Sequence, residues 1–277
     1  MSKHAVPVLG GNVSLWGVLR GEAIKFFALT STRILVAVSI LVMVGFAALV
    51  LWSVGMVAGT PAAGTPGMPD MASEGFVAEM IGSGLSFAQL IIGALAVLLM
   101  SGEFTTGSAV STFLASPQRL RVLTAKALLM TGVTVVVGLA SFALSYLVCK
   151  PLAQMYSMPL NFTSEPFQRA MWFGTLYLVM VTMIGLALGT MLRNSAGGIT
   201  VLVALFFVVP IATSIIASLV DWFQKVAPFL PDQAGMSLAL PLSYPSDWET
   251  WQQLLVVGGW MLIPLVLAGI LVKARDI

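Results

Sequence analysis

Six long runs of apolar residues constrain this chain more than any other feature of its sequence. They lie at about Ile34–Val57, Met80–Met100, Val122–Cys149, Met171–Leu192, Gly197–Val220 and Trp251–Val272. In lipid, the backbone N–H and C=O groups must be satisfied within the segment, so each run predicts a membrane-spanning helix. The third run is longer than a bilayer requires, which predicts a helix that tilts or projects from the membrane.

The composition supports the same fold class. Only 9% of the 277 residues are charged and 58% are hydrophobic, whereas soluble domains carry about 25% charged residues. A chain with so few charges cannot cover a soluble fold with polar groups. The sequence therefore predicts an all-α, polytopic membrane protein with one transmembrane domain over residues 1–277.

Lysine and arginine are distributed unequally between the two sides of the predicted spans. Positive residues favour the cytoplasmic side, so we place both termini in the cytoplasm. The ten basic residues on that side are Lys3, Arg20, Lys25, Arg33, Arg119, Arg121, Lys126, Arg193, Lys273 and Arg275, and the three outside are Lys150, Arg169 and Lys225. Most acids, Asp232 among them, fall on the outer side.

Two outer connections differ in character. Gly59–Asp70 is rich in glycine, proline and alanine, which predicts a loop. Asp221–Glu249 mixes aromatic residues such as Trp222 and Phe229 with several prolines. This mixture predicts short helices at or dipping into the outer interface, and an ordinary solvated loop is the alternative.

Residues Ser14–Phe27 precede the first span and fit an amphipathic helix. At 100° per residue, Leu15, Trp16 and Phe26 fall on one side, with Glu22 at its edge. Such a helix suits the surface of the inner leaflet. A plain extension of the first span is the alternative.

The connection between the second and third spans is the most informative segment. Val110, Phe113 and Leu114 occupy i, i+3 and i+4, one face of a short helix that follows Glu103 and precedes several cations. An apolar ridge of this kind can dock into a groove on a soluble partner. The alternative is a basic cytoplasmic loop with an incidental helix.

Several segments together resemble a known family. Gly102-Glu103-Phe104, followed by Leu114-Ala115-Ser116-Pro117, is similar to the coupling segment of type-2 ATP-binding-cassette (ABC) exporter permeases. Glu22 with Lys25 and Arg33 resembles the connecting helix before the first span of that family. The remaining matches are Gly185–Gly189 through Arg193–Gly198 at the junction of spans four and five, and Phe229-Leu230-Pro231 with Ala234-Gly235 before span six.

The resemblance implies a permease subunit that pairs with a second copy or a related chain in a bacterial plasma membrane. It also implies two cytosolic ABC ATPase subunits, which bind ATP and Mg, docked against this chain. The docking residues implied are Glu22, Glu103, Phe104, Val110, Phe113 and Leu114. Phe104 departs from the family pattern, in which tyrosine is common at this position.

The residues themselves favour no chemistry within the chain. The nucleotide-binding pattern G-x-x-x-x-G-K-[ST] does not occur, and the single histidine, His4, precedes every span. We therefore expect no enzymatic activity and no cofactor in this chain. The scattered outer methionines are only weak candidates for copper binding, and the lone Cys149, which has no histidine to activate it, is expected to pack.

The spans offer few groups for ion coupling. Their interiors carry no charged residue, and Lys126 lies only near the inner end of the third span. This pattern argues against proton coupling, although backbone carbonyls at broken helices can bind Na⁺, so an ion-coupled carrier or channel is an alternative. An amphipathic, lipid-like or antibiotic-like cargo fits apolar spans better than a small ion does.

Four residues inside the spans bear on helix packing or gating. Gly185 and Gly189 form a small-x-x-x-small pair, and Pro210 and Pro264 are expected to kink spans five and six. Packing within the chain, a dimer seam and a gate all fit these residues. A second function also fits the family resemblance, in which ATP-driven motion acts on an outer partner through Gly59–Glu79 without export.

Overall fold

The computed structural model describes residues 14–58, 73–105 and 119–274, and all of the regular structure in these ranges is helical. Six helical segments in the described ranges are long and apolar enough to cross a membrane. The all-α, six-span fold class is therefore confirmed. The predicted loop Gly59–Asp70 and the predicted docking residues Val110, Phe113 and Leu114 lie outside the described residues.

The spans differ in length and regularity. The first is Thr30–Ala58, the second is divided into Glu74–Gly82 and Leu85–Thr105, the third is Arg119–Met155, the fourth is Glu165–Leu192, the fifth comprises Ser195–Val203, Ala204–Val208 and Val209–Leu219, and the sixth is Thr250–Ala274. The third helix has 37 residues and is about 55 Å long at 1.5 Å per residue. A bilayer core is about 30 Å thick, so the predicted excess length is confirmed.

The fourth span is the centre of the bundle. Of its most apolar 18 residues, 78% are buried, compared with 11% in the fifth span and 22% in the first and sixth. It packs against the second, third and sixth spans and against a short helix, Pro231–Ala239. The fifth span therefore lies at the periphery, where lipid or a second subunit can cover it.

Close packing between the second and fourth spans depends on glycine. A Cβ added to Gly185 would lie 2.6 Å from the carbonyl oxygen of Gly93, and one added to Gly189 would lie 2.6 Å from that of Val97. Only hydrogen fits at these two positions, so the backbones approach closely. Both glycines thus pack helices within the chain.

The helix Leu15–Ala28 confirms the prediction of a helix before the first span. The Ser14 hydroxyl caps it by accepting a hydrogen bond from the Gly17 N–H at 3.1 Å. Its predicted apolar side is divided in the structure, because Phe26 is buried whereas Trp16 and Phe27 are exposed. The helix therefore presents one face to the bundle and another to its surroundings.

The segment between the fifth and sixth spans contains the predicted short helices. They are two 3₁₀ turns, Asp221–Lys225 and Ala227–Phe229, and the α-helix Pro231–Ala239. The last of these is almost wholly buried, which a solvated loop would not be. Proline at its first position suits this start, because that N–H would have no partner within the helix.

The two prolines inside spans have different surroundings. Pro210 follows a π-helical turn, Ala204–Val208, so the wider turn and the missing N–H coincide in the fifth span. Pro264 lies within the continuous helix Thr250–Ala274. The fifth span is thus irregular near Pro210, whereas the sixth remains one helix.

We predict that Gly185→Ala separates the second and fourth spans and destabilises the protein by about 1–3 kcal/mol, the usual cost of overpacking. Thermal unfolding in detergent measures this loss. Gly132→Ala is the matched control, since a Cβ there meets no atom within 4 Å. Equal melting temperatures for the two variants would contradict the packing assignment.

Candidate functional site

Four charged side chains from three segments meet at one end of the bundle. Glu22 and Lys25 come from the helix Leu15–Ala28, Glu103 from the end of the second span, and Lys126 from the third span. We call these four residues the charged junction. It lies at the end of the bundle that the sequence predicts to be cytoplasmic.

Lys126 is the centre of the charged junction. Its Nζ donates to Glu103 Oε1 at 3.0 Å and also to Glu22 Oε2. Lys25 Nζ reaches the same two carboxylates, at 3.0 Å from Glu22 Oε1 and 3.5 Å from Glu103 Oε1. Two cations and two anions therefore alternate, and the junction has no net charge.

The two lysines differ in burial. The Lys126 side chain is 1% exposed, whereas that of Lys25 is 51% exposed. A buried cation requires compensation by anions, and removing one partner of a buried pair costs about 3–5 kcal/mol. The exposed contacts of Lys25 contribute much less. The pairing of Lys126 with its two carboxylates is therefore the strong part of the junction.

The ionisation of Glu22 reflects these contacts. Burial alone raises its pKa, but attraction to Lys126 and hydrogen bonds from both lysines outweigh burial and hold the pKa below 4.5. For Lys25, burial lowers the pKa, but Glu22 and Glu103 outweigh it and raise the pKa above 10.5. Glu22 and Lys25 consequently remain charged near neutral pH.

The end of the second span also contacts the start of the fifth. The Ser101 and Ser195 hydroxyls are 2.8 Å apart, and the Arg193 guanidinium lies 5.0 Å from the centre of the Phe104 ring. Arg193 adopts a left-handed backbone conformation with φ 51°, and the Asn194 side chain caps the next helix. The second span is thus joined to the fifth beside the charged junction.

The structure brings together three of the six predicted docking residues, Glu22, Glu103 and Phe104. The two carboxylates bind lysines of the same chain, and Phe104 is partly buried. Direct contact with an ATPase stays a prediction for these residues. Their observed role is to join segments of the chain.

Lys126 is the residue of this site that the sequence does not reveal. The preference of lysine for the cytoplasmic side accounts for it without a partner. A signal did exist in its partners, because Glu22 and Glu103 are two of the three acids on a predicted side that carries ten basic residues. Acids in such a position suggest pairing, but the sequence does not identify the cation.

A second polar cluster lies near the opposite end of the bundle. The Tyr177 hydroxyl is 2.7 Å from Asp232 Oδ1 and also lies within hydrogen-bond distance of Gln89 Oε1, and its single proton can be donated to one of the two. These residues come from the fourth span, the short helix Pro231–Ala239 and the second span. Asp232 lies in the segment predicted to form short helices, and the structure buries it against two spans with 6% exposure.

Burial has a direct effect on Asp232. It raises the pKa of the carboxyl above 3.8, and the opposing hydrogen bonds from Tyr177 and Gln89 do not cancel this rise. The proton-bearing form is thus favoured relative to an exposed aspartate. Asp232 joins the short helix to the core of the bundle. Ionisation of its carboxyl destabilises this arrangement, because a buried charge loses its hydration.

Glu79 makes a further connection near the opposite end. Its carboxylate accepts hydrogen bonds from the Ser243 N–H at 2.7 Å, from the Ser243 hydroxyl at 2.6 Å and from the Leu242 N–H. The half of the second span that lies away from the charged junction therefore binds the backbone that follows the short helix. Both ends of the second span are thus tied to other segments by a carboxylate.

No protein-family model matches the chain, and a search of curated proteins likewise found no match.

We predict that Lys126→Met destabilises the protein by about 3–5 kcal/mol, because it removes the buried cation from two largely buried carboxylates and leaves them the half-exposed Lys25. Thermal unfolding measures the loss, with Lys273→Met as the control at an exposed position. Combining Lys126→Met with Glu22→Gln and Glu103→Gln should recover most of it, since no buried charge then lacks a partner. A Lys126→Met variant as stable as Lys273→Met would refute this.

We predict that Asp232→Asn changes how the stability of the protein depends on pH. A carboxyl whose pKa is raised by folding stabilises the folded protein most at pH values below its unfolded pKa of 3.8. That stabilisation is lost as pH rises through the pKa of the folded state. Asparagine cannot ionise and keeps an oxygen for Tyr177. The melting temperature of Asp232→Asn relative to the natural protein should therefore rise from about pH 4 to about pH 8.

Asp247→Asn is the control for this series, because Asp247 is exposed in the same segment between the fifth and sixth spans. It should show no such trend. If the melting temperature of Asp232→Asn relative to the natural protein stays constant or falls as pH rises, folding does not raise the pKa of Asp232.

Proposed function

We propose that this chain is the transmembrane permease subunit of an ABC transporter that exports an amphipathic or lipid-like substrate. ATP and Mg would be bound by two copies of a separate cytosolic ATPase, and a second permease copy or related chain would complete the channel. The proposal places the charged junction at the cytoplasmic face of a bacterial plasma membrane, with both termini inside. The family resemblance of the sequence motivates this assignment.

The observation that carries the proposal is the position of the charged junction. The predicted docking segment, Glu103–Ser116, begins at a residue that binds Lys126 and Lys25. A load on this segment is therefore passed directly to the helix Leu15–Ala28 and to the third span. Contacts of Ser101 and Phe104 pass it on to the fifth span.

The proposed transport cycle uses this connectivity. Closure of the ATPases around ATP would push on Glu103–Ser116 and on the helix Leu15–Ala28 together. The joined segments would then move against the fourth span, which is the most deeply buried of the six. Motion of the peripheral fifth span would open an apolar path between two permease subunits.

A non-exporting use of the same motion is the second candidate, and Glu79 is the observation that favours it. Because Glu79 binds Leu242 and Ser243, displacement of the second span reaches the outer segment as well as the predicted outer loop. An extracytoplasmic partner could receive this motion. Transport assays separate the two candidates, since only export moves a cargo.

An ion-coupled carrier is the third candidate. The burial of Asp232 beside Tyr177 and Gln89 provides a carboxylate that such coupling requires. In this case the purified chain should transport without any ATPase, and Asp232→Asn should abolish transport.

The direct test is purification of the tagged, full-length chain from its native membranes. We predict that an ATPase co-purifies, and that Phe113→Ala combined with Leu114→Ala reduces its recovery at least tenfold, as expected for loss of an apolar anchor. Phe229→Ala is the control, because Phe229 is exposed in the segment between the fifth and sixth spans. Transport by the pure chain alone, with no ATPase recovered, would overturn the proposal.

A further inference from the structure

A recess of about 550 Å³ opens beside the charged junction. It lies between the helix Leu15–Ala28, the start of the first span and the end of the second span. Its polar part is lined by all four residues of the charged junction. Its apolar part, which we call the leucine wall, is lined by leucines such as Leu35, Leu95 and Leu98. Its volume falls within the range of about 300–1,000 Å³ that is typical of small-molecule sites.

The polar side of the recess presents both signs of charge with no net charge. Lys25 contributes a half-exposed ammonium, and Glu103 contributes a carboxylate. A ligand with one negative and one positive group can therefore pair with both without leaving an excess charge. A singly charged anion or cation would lack this balance.

Glu103 also has an unused acceptor. Its Oε1 accepts from both lysines, whereas its Oε2 is buried and has no hydrogen-bond partner among the described residues. A buried carboxylate oxygen without a hydrogen-bond partner is unfavourable, and a hydrogen bond from an N–H donor would remove this destabilisation. A positive group that carries N–H bonds is thus favoured over one that does not.

The apolar side determines what else the ligand must contain. The leucines belong to the first turns of the first span and the last turns of the second, so the recess runs from the membrane interface into the apolar zone. This geometry suits an acyl chain attached to a polar headgroup. Water-soluble ligands would leave the leucine wall uncovered.

We infer that this recess binds a zwitterionic lipid with a primary ammonium headgroup, of the phosphatidylethanolamine type. The phosphate lies near Lys25, the ammonium lies on the Glu103 carboxylate, and one acyl chain covers the leucine wall. The inference is independent of the proposed ATPase partner, because binding is a property of the chain alone. A lipid at this position would brace the helix Leu15–Ala28 against the first two spans.

The experiment compares lipids with identical acyl chains on the full-length, delipidated protein, using binding titrations followed by native mass spectrometry. Phosphatidylcholine keeps the zwitterion but has no N–H donor, and phosphatidylglycerol keeps the phosphate but has no cation. We expect phosphatidylethanolamine to bind at least tenfold more tightly than either, equal to about 1.4 kcal/mol. Glycerophosphoethanolamine, which has no acyl chains, should bind more weakly than the intact lipid.

Two variants assign the site. Glu103→Gln removes the anion and should abolish the preference for phosphatidylethanolamine over phosphatidylcholine. Leu98→Trp fills the leucine side without touching the charged junction and should weaken both lipids, whereas Leu144→Trp, an exposed leucine of the third span, should weaken neither. Equal binding of all three lipids, a preference that survives both variants, or full affinity for glycerophosphoethanolamine would each overturn the inference.

Discussion

The buried ammonium of Lys126 is the constraint on which the rest of this end of the molecule depends. A cation with 1% exposure cannot remain in the bundle unless anions come to it. Within the described ranges, Glu22 and Glu103 supply them and come from two other segments onto one nitrogen. The helix Leu15–Ala28 is therefore held against the second and third spans by electrostatics as well as by the buried Phe26.

The opposite end of the bundle also buries an ionisable group, but surrounds it with different side chains. Asp232 meets the neutral side chains of Tyr177 and Gln89, so its charge is not balanced by a cation within this cluster. Burial therefore raises the pKa of Asp232, whereas the two lysines lower that of Glu22. Between the two clusters, Gly185 and Gly189 keep the second and fourth spans in close contact. The second span thus connects polar clusters near both ends through a closely packed apolar region.

Much of the fold follows from the sequence because lipid demands long apolar helices. The six spans, the excess length of the third and the helices before the first and sixth spans were all predictable from apolar runs, caps and prolines. The residues that meet in the two polar clusters were less predictable from the sequence. Glu22, Glu103 and Phe104 were identified through a family resemblance, but the partners Lys126 and Arg193 depend on how helices pack, which periodicity does not encode. The contact of Asp232 with Tyr177 depends on helix packing in the same way, so the short helix was predictable from the sequence and its buried partners were not.

Amide hydrogen exchange in lipid nanodiscs tests the central claim most directly, by comparing the natural protein with Lys126→Met. If one cation holds three segments together, the variant should exchange faster in residues 15–28 and at the end of the second span, while the fourth span stays protected. Unchanged exchange in residues 15–28, or an equal increase throughout the bundle, would contradict the account. The first result would show that the helix is held by other contacts, and the second that Lys126 affects only global stability.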